Sequence, residues 1–203
     1  MQRICVYCAS NPGVRPAYVQ AARDLGRLIA DQGTTVVYGG GRVGLMGAVA
    51  DGALEAGGEV IGVMPHALVE REAAHRSLSA LHIVDSMHER KAMLAQMADG
   101  FIALPGGIGT LEELFETWTW AQLGVHSKPI GLLNVKDYWN SLIIFLAQMG
   151  SEGFLRAHTR DLMLLDDDAT RLLQRMNDYV PPVVSPWVRL SETEAIDIGV
   201  GGI

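Results

Sequence analysis

The chemistry in this chain starts from Pro105-Gly106-Gly107-Ile108-Gly109-Thr110-Leu111-Glu112-Glu113, where a run of glycines is followed within one helical turn by a carboxylate. Glycines lack Cβ, so their backbone N–H groups can close on an anion. Phe101-Ile102-Ala103-Leu104 reads as a short buried strand before the run, and Leu111, Leu114, Phe115 and Trp118 behind it recur at helical spacing. The glycines therefore fall at a strand-to-helix turn, where the helix N-terminus adds partial positive charge. Gly106, Gly107, Gly109 and Thr110 are the expected phosphate cradle, and the run points to an enzyme acting on a phosphorylated small molecule. Thr110 and Glu113 also fit an S/T-x-x-E capping box, in which the glutamate only satisfies a backbone N–H. At 100° per residue, however, Glu113 turns roughly opposite the apolar face, with Thr117 and Trp120 on its side.

Two further clusters belong at similar turns. Gly39-Gly40-Gly41-Arg42-Val43-Gly44-Leu45-Met46-Gly47 follows the strand Thr35 to Tyr38, and Gly39, Gly41 and Gly44 satisfy G-x-G-x-x-G. A dinucleotide site also needs a ribose-binding acid at the end of the next strand. That strand ends Val63-Met64-Pro65, which favours a nucleotide-monophosphate cradle and leaves tight helix packing as the alternative. The third cluster, Ser86-Met87-His88-Glu89-Arg90-Lys91, follows Leu81 to Val84. Adjacent Arg90 and Lys91 face different directions on a helix, so one is expected to enter a cleft while the other is solvated.

The elements that must position these residues alternate. Strands are expected near 3–8, 34–38, 59–64, 81–84, 101–104, 130–134 and 162–165, and helices near 15–31, 44–56, 87–97, 110–123, 137–149 and 168–179. This order implies an α/β, Rossmann-like single domain, a parallel sheet with helices on both faces and its ligand site beyond the carboxyl ends of the strands. Residues 1–180 form the expected catalytic domain, and 181–203, with Pro181, Pro182 and Pro186, a peripheral tail. Leu142 to Leu146 are five consecutive apolar residues on one helix, more than packing on a sheet requires, which predicts a homodimer.

Composition narrows the partners. A net charge of −7 argues against nucleic-acid or anionic-membrane surfaces, and no apolar run is long enough to span a bilayer. A cytoplasmic protein is expected. Cys5 and Cys8 lie in an apolar strand at an odd offset, on opposite faces, and read as buried thiols rather than a redox pair. His66, His75, His82, His88, His126 and His158 show no H-x-x-x-H spacing, and Asp166-Asp167-Asp168 reads as a helix cap, so no metal is expected.

Pro105 to Glu113 matches PGGxGTxxE, and the loop Gly39 to Gly47 with Met87-His88-Glu89-Arg90-Lys91-Ala92 completes a specific combination. Over roughly residues 1 to 180 the chain resembles the LOG ("Lonely guy") cytokinin-activating family, often mislabelled as lysine decarboxylases. The resemblance implies hydrolysis of a nucleoside 5′-monophosphate at its N-glycosidic bond, with no cofactor, by a dimer or larger assembly. It implies Arg90 and Glu113 as the catalytic pair, and Gly40, Gly41, Met87, Arg90, Lys91, Gly106, Gly107, Gly109 and Thr110 as substrate-binding residues. Two alternatives compete. A nucleotide carrier or sensor would use the same cradles without catalysis. A decarboxylase would need a lysine bound to pyridoxal phosphate, and Lys128, just before Pro129 and a strand, lies at the wrong end for that.

Overall fold

Short apolar runs rich in β-branched and aromatic residues form strands β1 (Arg3–Tyr7), β2 (Thr35–Tyr38), β3 (Val60–Pro65), β4 (Ala80–Val84), β5 (Gly100–Ala103), β6 (Ile130–Leu133) and β7 (Met163–Asp166). Between them run helices α1 (Pro16–Asp31), α2 (Gly44–Glu55), α3 (Met87–Met97), α4 (Ile108–Gln122), α5 (Asn140–Ser151), α6 (Ala157–Arg160) and α7 (Ala169–Asn177). These are the elements of a computed structural model that describes residues 1–69 and 73–182. The expected peripheral tail lies outside the described residues from Val183 onward.

Among the described residues the strands form one sheet in the order β4-β3-β2-β1-β5-β6-β7, and each neighbouring pair is parallel. After β1 the chain winds outward through β2, β3 and β4, then returns to the other side of β1 as β5. The order therefore reverses between β1 and β5. Loops leaving those two strands diverge to opposite faces and open a crevice, which is where ligands enter sheets of this kind.

Side chains of β1 alternate between two cores. Ile4, Val6 and Cys8 pack with α1, α2 and α7 on one face, whereas Cys5 and Tyr7 pack with α3, α4 and α5 on the other. Cys5 and Cys8 are thus separated by the sheet, as their spacing implies. The helix α6 has no counterpart in the sequence reading, since four residues are too few to show a helical period. It covers α4 through a hydrogen bond from Trp118 Nε1 to the Thr159 carbonyl, 2.8 Å long.

Helix caps follow the local sequence at two places. Ser86 accepts a hydrogen bond from the Glu89 N–H at the start of α3, and Asp168 accepts one from the Arg171 N–H at the start of α7. Asp166 is buried between Arg171 and Arg175, and their hydrogen bonds hold its carboxyl down at about 2. The triple-aspartate run is accordingly a helix-start and ion-pair device.

Candidate active site

The crevice between β1 and β5 holds a cleft of about 330 Å³. The loop after β1 supplies Cys8, Ala9, Ser10 and Asn11, and the turn after β5 supplies Gly107 to Thr110. Met87 and Arg90 come from α3, Glu112 and Glu113 from α4, and Met46 and Leu68 add apolar wall.

The glycine turn is a helix start without a side-chain cap. Helix α4 begins at Ile108 after Gly107, which has no side chain to cap the first N–H groups as Ser86 and Asp168 do in α3 and α7. First-turn amides need acceptors from elsewhere. A Cβ built on Gly107 or Gly109 would meet nothing within 4 Å, so neither packing nor backbone strain demands glycine there. What the two glycines preserve is open backbone at the mouth of the cleft. Gly106 differs, because its Cβ would fall 2.1 Å from Thr110 Oγ1, and its carbonyl accepts a 2.5 Å hydrogen bond from Tyr138 Oη.

This start overturns the capping-box reading. With Gly107 at the cap, Thr110 lies inside the first turn, buried, and Glu113 stands in the second turn. Glu113 is therefore released from capping, and the first-turn dipole acts on it only weakly. Its helical neighbour Thr117, one turn on, meets Tyr7 Oη at 2.9 Å in a buried contact between α4 and β1.

Arg90 and Glu113 meet across the cleft. Arg90 Nη2 lies 4.0 Å from Glu113 Oε1, with side-chain exposures of 6% and 13%. Arg90 Nη2 also donates to the Gly39 carbonyl at 3.2 Å, and Nη1 to Met87 Sδ at 3.7 Å. Gly39 is where the second glycine loop touches this arrangement. A Cβ there would fall 1.9 Å from Arg90 Nη2. Gly44, with φ of +60°, comes so close to the loop after β1 that its Cβ would sit 2.3 Å from the Ser10 carbonyl carbon. The loop's glycines thus serve close packing behind the cleft. Gly40 and Gly41 are buried and absent from the cleft lining, Gly40 beside Met64 and Leu81, and Gly41 accepting from Tyr38 Oη.

Lys91 is placed differently from its sequence reading. It is neither solvated nor in the cleft lining: Nζ lies 2.5 Å from Glu112 Oε1 and 3.1 Å from Glu116 Oε1, within a buried side chain. The bond to Glu112 is the main reason its ammonium pKa is raised. Sequence reasoning also missed Ser10, Asn11 and Leu68. The rule that loops follow strand carboxyl ends, applied to β1, points to the first two; Leu68 gives no signal. Both thiols near the cleft are pushed up, by burial first and by the Glu113 carboxylate second, so they stay protonated.

Fold and site define a class: a doubly wound, Rossmann-like α/β protein with a carboxylate–guanidinium pair at the mouth of its switch-point cleft. A family model described as "Possible lysine decarboxylase" matches residues 46–176. Cytokinin riboside 5′-monophosphate phosphoribohydrolase LOG7 of Arabidopsis thaliana is 46% identical over 180 residues, covering 89% of this chain and 83% of its own. The phosphoribohydrolase LOG of Oryza sativa subsp. japonica is 46% identical over 180 residues, covering 89% and 74%. The chain belongs to the LOG family. Among solved structures, the molybdenum cofactor binding protein of Rippkaea orientalis superposes with a TM-score of 0.66 at 21% identity, covering 87% of this chain and 95% of that one. The carrier protein for the same cofactor from Chlamydomonas reinhardtii gives 0.64 at 20% identity, covering 87% and 98%. These likenesses show the shared fold.

The decarboxylase label does not fit the residues. Pyridoxal phosphate needs a lysine that can reach it. Lys91 is held by Glu112 and Glu116, Lys128 donates to the Ala95 carbonyl beside the amino end of β6, Lys136 lies in the turn after β6, and none of the three lines the cleft.

Proposed function

We propose that this protein hydrolyses the N-glycosidic bond of nucleoside 5′-monophosphates, cytokinin riboside monophosphates and AMP among them, to free base and ribose 5-phosphate. The observation that carries the reading is the Arg90–Glu113 pair standing in the cleft one turn beyond the uncapped start of α4. The 5′-phosphate would lie against the amides of Ile108, Gly109 and Thr110, where helix dipole and unsatisfied donors both favour an anion. That anchoring uses binding remote from the broken bond to place the sugar over Glu113.

Water adds to C1′ of the ribose, the base leaves with the bonding electron pair, and a proton passes from the water to the departing base. Positive charge grows on the sugar as the bond breaks, and an ionised carboxylate beneath it stabilises that charge and orients the water. Arg90 favours the ionised form of Glu113 and offers a planar set of donors to the sugar. Ser10 and Asn11 add hydrogen-bonding groups on the opposite wall, and Met87, Met46 and Leu68 an apolar one suited to a base.

The reading includes a cytoplasmic homodimer. Among the residues of α5 only Leu146 is buried, while Ile144 and Phe145 are 70% and 56% exposed, and a two-fold contact would cover this face on both subunits. Chromatography tests the activity: incubation with AMP or isopentenyladenosine monophosphate should release adenine or isopentenyladenine. A folded protein that binds AMP and releases no base would instead be a carrier.

A further inference from the structure

Two adjacent residues of α3 meet two adjacent ridges of α4. Residues four apart on a helix lie one above the other, so Glu112 and Glu116 form one ridge and Glu113 and Thr117 the next. Lys91 takes the first ridge, with Nζ 2.5 Å and 3.1 Å from its two carboxylates. Arg90 takes the second at 4.0 Å. The lysine side chain is 10% exposed, whereas those of Glu112 and Glu116 are 49% and 28% exposed, so the cation is the enclosed member of the cluster.

We propose that Lys91 is a positioning residue: it clamps α3 to α4 so that Arg90 faces Glu113, and it neutralises the carboxylates that flank Glu113. The proposal rests on the hydrolase reading above and departs from the family expectation that Lys91 touches substrate. Two observations support it. Lys91 does not line the cleft, and its donors already hold two carboxylates.

The charged and titratable groups around Glu113 decide what removal of Lys91 would do. From α3 come Arg90 and Lys91; from α4 come Glu112 and Glu116; from β1 and its loop come Cys5, Tyr7 and Cys8, which burial keeps protonated. Without Lys91, the negative charge of Glu112 and Glu116 beside Glu113 would no longer be offset by its ammonium. Like charges oppose ionisation, so Glu113 would lose its proton at higher pH. A substrate contact would behave otherwise, because losing it raises KM and leaves the profile in place.

The test is the pH dependence of kcat and KM for AMP in Lys91→Met, Lys91→Arg and the double variant Lys91→Met/Glu116→Gln. Lys91→Met should keep KM within about twofold, lower kcat about tenfold near neutral pH, and move the acidic limb up by roughly one unit. Lys91→Arg, and removal of the Glu116 charge in the double variant, should each restore most of the limb. Should Lys91→Met not fold, Glu116→Gln alone reads the same electrostatics and should move the limb to lower pH. A tenfold rise in KM with an unmoved limb, or an unmoved limb in Glu116→Gln, overturns the proposal. Carbon-13 NMR of the Glu113 carboxyl in the same proteins follows the shift without turnover. A parent protein that fails to hydrolyse AMP would therefore refute the functional reading and leave the Lys91 proposal to stand or fall on the titration.

Discussion

Gly39→Ala is a one-carbon change aimed at the catalytic geometry from behind. The new Cβ would stand 1.9 Å from Arg90 Nη2 and 2.6 Å from Met46 Cε. Ordinary carbon–nitrogen contacts lie near 3.4 Å or beyond, so the guanidinium must retreat by roughly 1.5 Å, while the methionine methyl can swing aside. Gly39 is not among the glycines with positive φ, so alanine brings no backbone strain at this position. The retreat weakens the hydrogen bond to the Gly39 carbonyl and carries Arg90 away from Glu113, 4.0 Å distant in the parent protein. A misplacement of about 1 Å at a catalytic group costs on the order of 10²-fold, so kcat/KM for AMP should fall about 10²-fold or slightly more. Stability should fall by a comparable amount at most, up to roughly 1.5–3 kcal/mol for a weakened bond from a charged donor. Steady-state kinetics of adenine release, with thermal unfolding as a control, reads both. A folded Gly39→Ala protein with parental kcat/KM would show that Arg90 does not need its observed place.

Further outcomes follow from other parts of the molecule. Adenosine should be a far poorer substrate than AMP, and ribose 5-phosphate should compete with AMP; equal kcat/KM for the two would dismiss the amide cradle. Gly109→Val, which sets a branched side chain in the open mouth of the cleft, should raise KM for AMP at least tenfold with little loss of stability. Ile144→Glu should convert a dimer into a 21.9 kDa monomer by light scattering, because a charge would be desolvated at the contact, and a monomeric parent protein would remove the dimer altogether. Asp166, held at about 2 when folded against an ordinary 3.8, contributes stability that is present above about pH 4 and lost as pH falls toward 2. Asp166→Asn should therefore lower Tm at pH 7, with the difference closing toward pH 2; a difference independent of pH would contradict the assignment.

Much of the fold was legible because the chain is locally consistent. Apolar runs such as Phe101 to Leu104 and the Leu114–Trp118 spacing state their elements without long-range information, and the alternation of strands and helices implies a parallel sheet. Arg90, Glu113 and the glycine run from Gly106 to Gly109 were legible as candidates for one cleft because each belongs to the segment that follows a strand. What stayed hidden depends on partners far apart in sequence. Nothing near Lys91 announces that Glu112 and Glu116, more than twenty residues on, enclose it. The glycines at 39 and 44 looked like a ligand loop, yet their close neighbours are Arg90 and Ser10, known only once the sheet order is known. Helix α4 begins earlier than its apolar period, because Ile108 and Gly109 carry no core-facing signal, and that shift takes Glu113 out of the capping position and leaves it facing Arg90.

Hydrolysis as proposed depends on Glu113 acting on a phosphate-anchored sugar. At 4.0 Å and an effective dielectric near 20, unit charges interact by about 4 kcal/mol, and a carboxylate at such range from the developing charge on C1′ contributes a similar amount. Loss of roughly 3–4 kcal/mol corresponds to two to three orders of magnitude in rate. The most direct measurement is therefore the rate of adenine release from saturating AMP by parent protein and Glu113→Gln, with AMP binding measured alongside. The account predicts that Glu113→Gln binds AMP as the parent does and releases adenine 10²- to 10³-fold more slowly; near-parental release from a folded Glu113→Gln protein would contradict it.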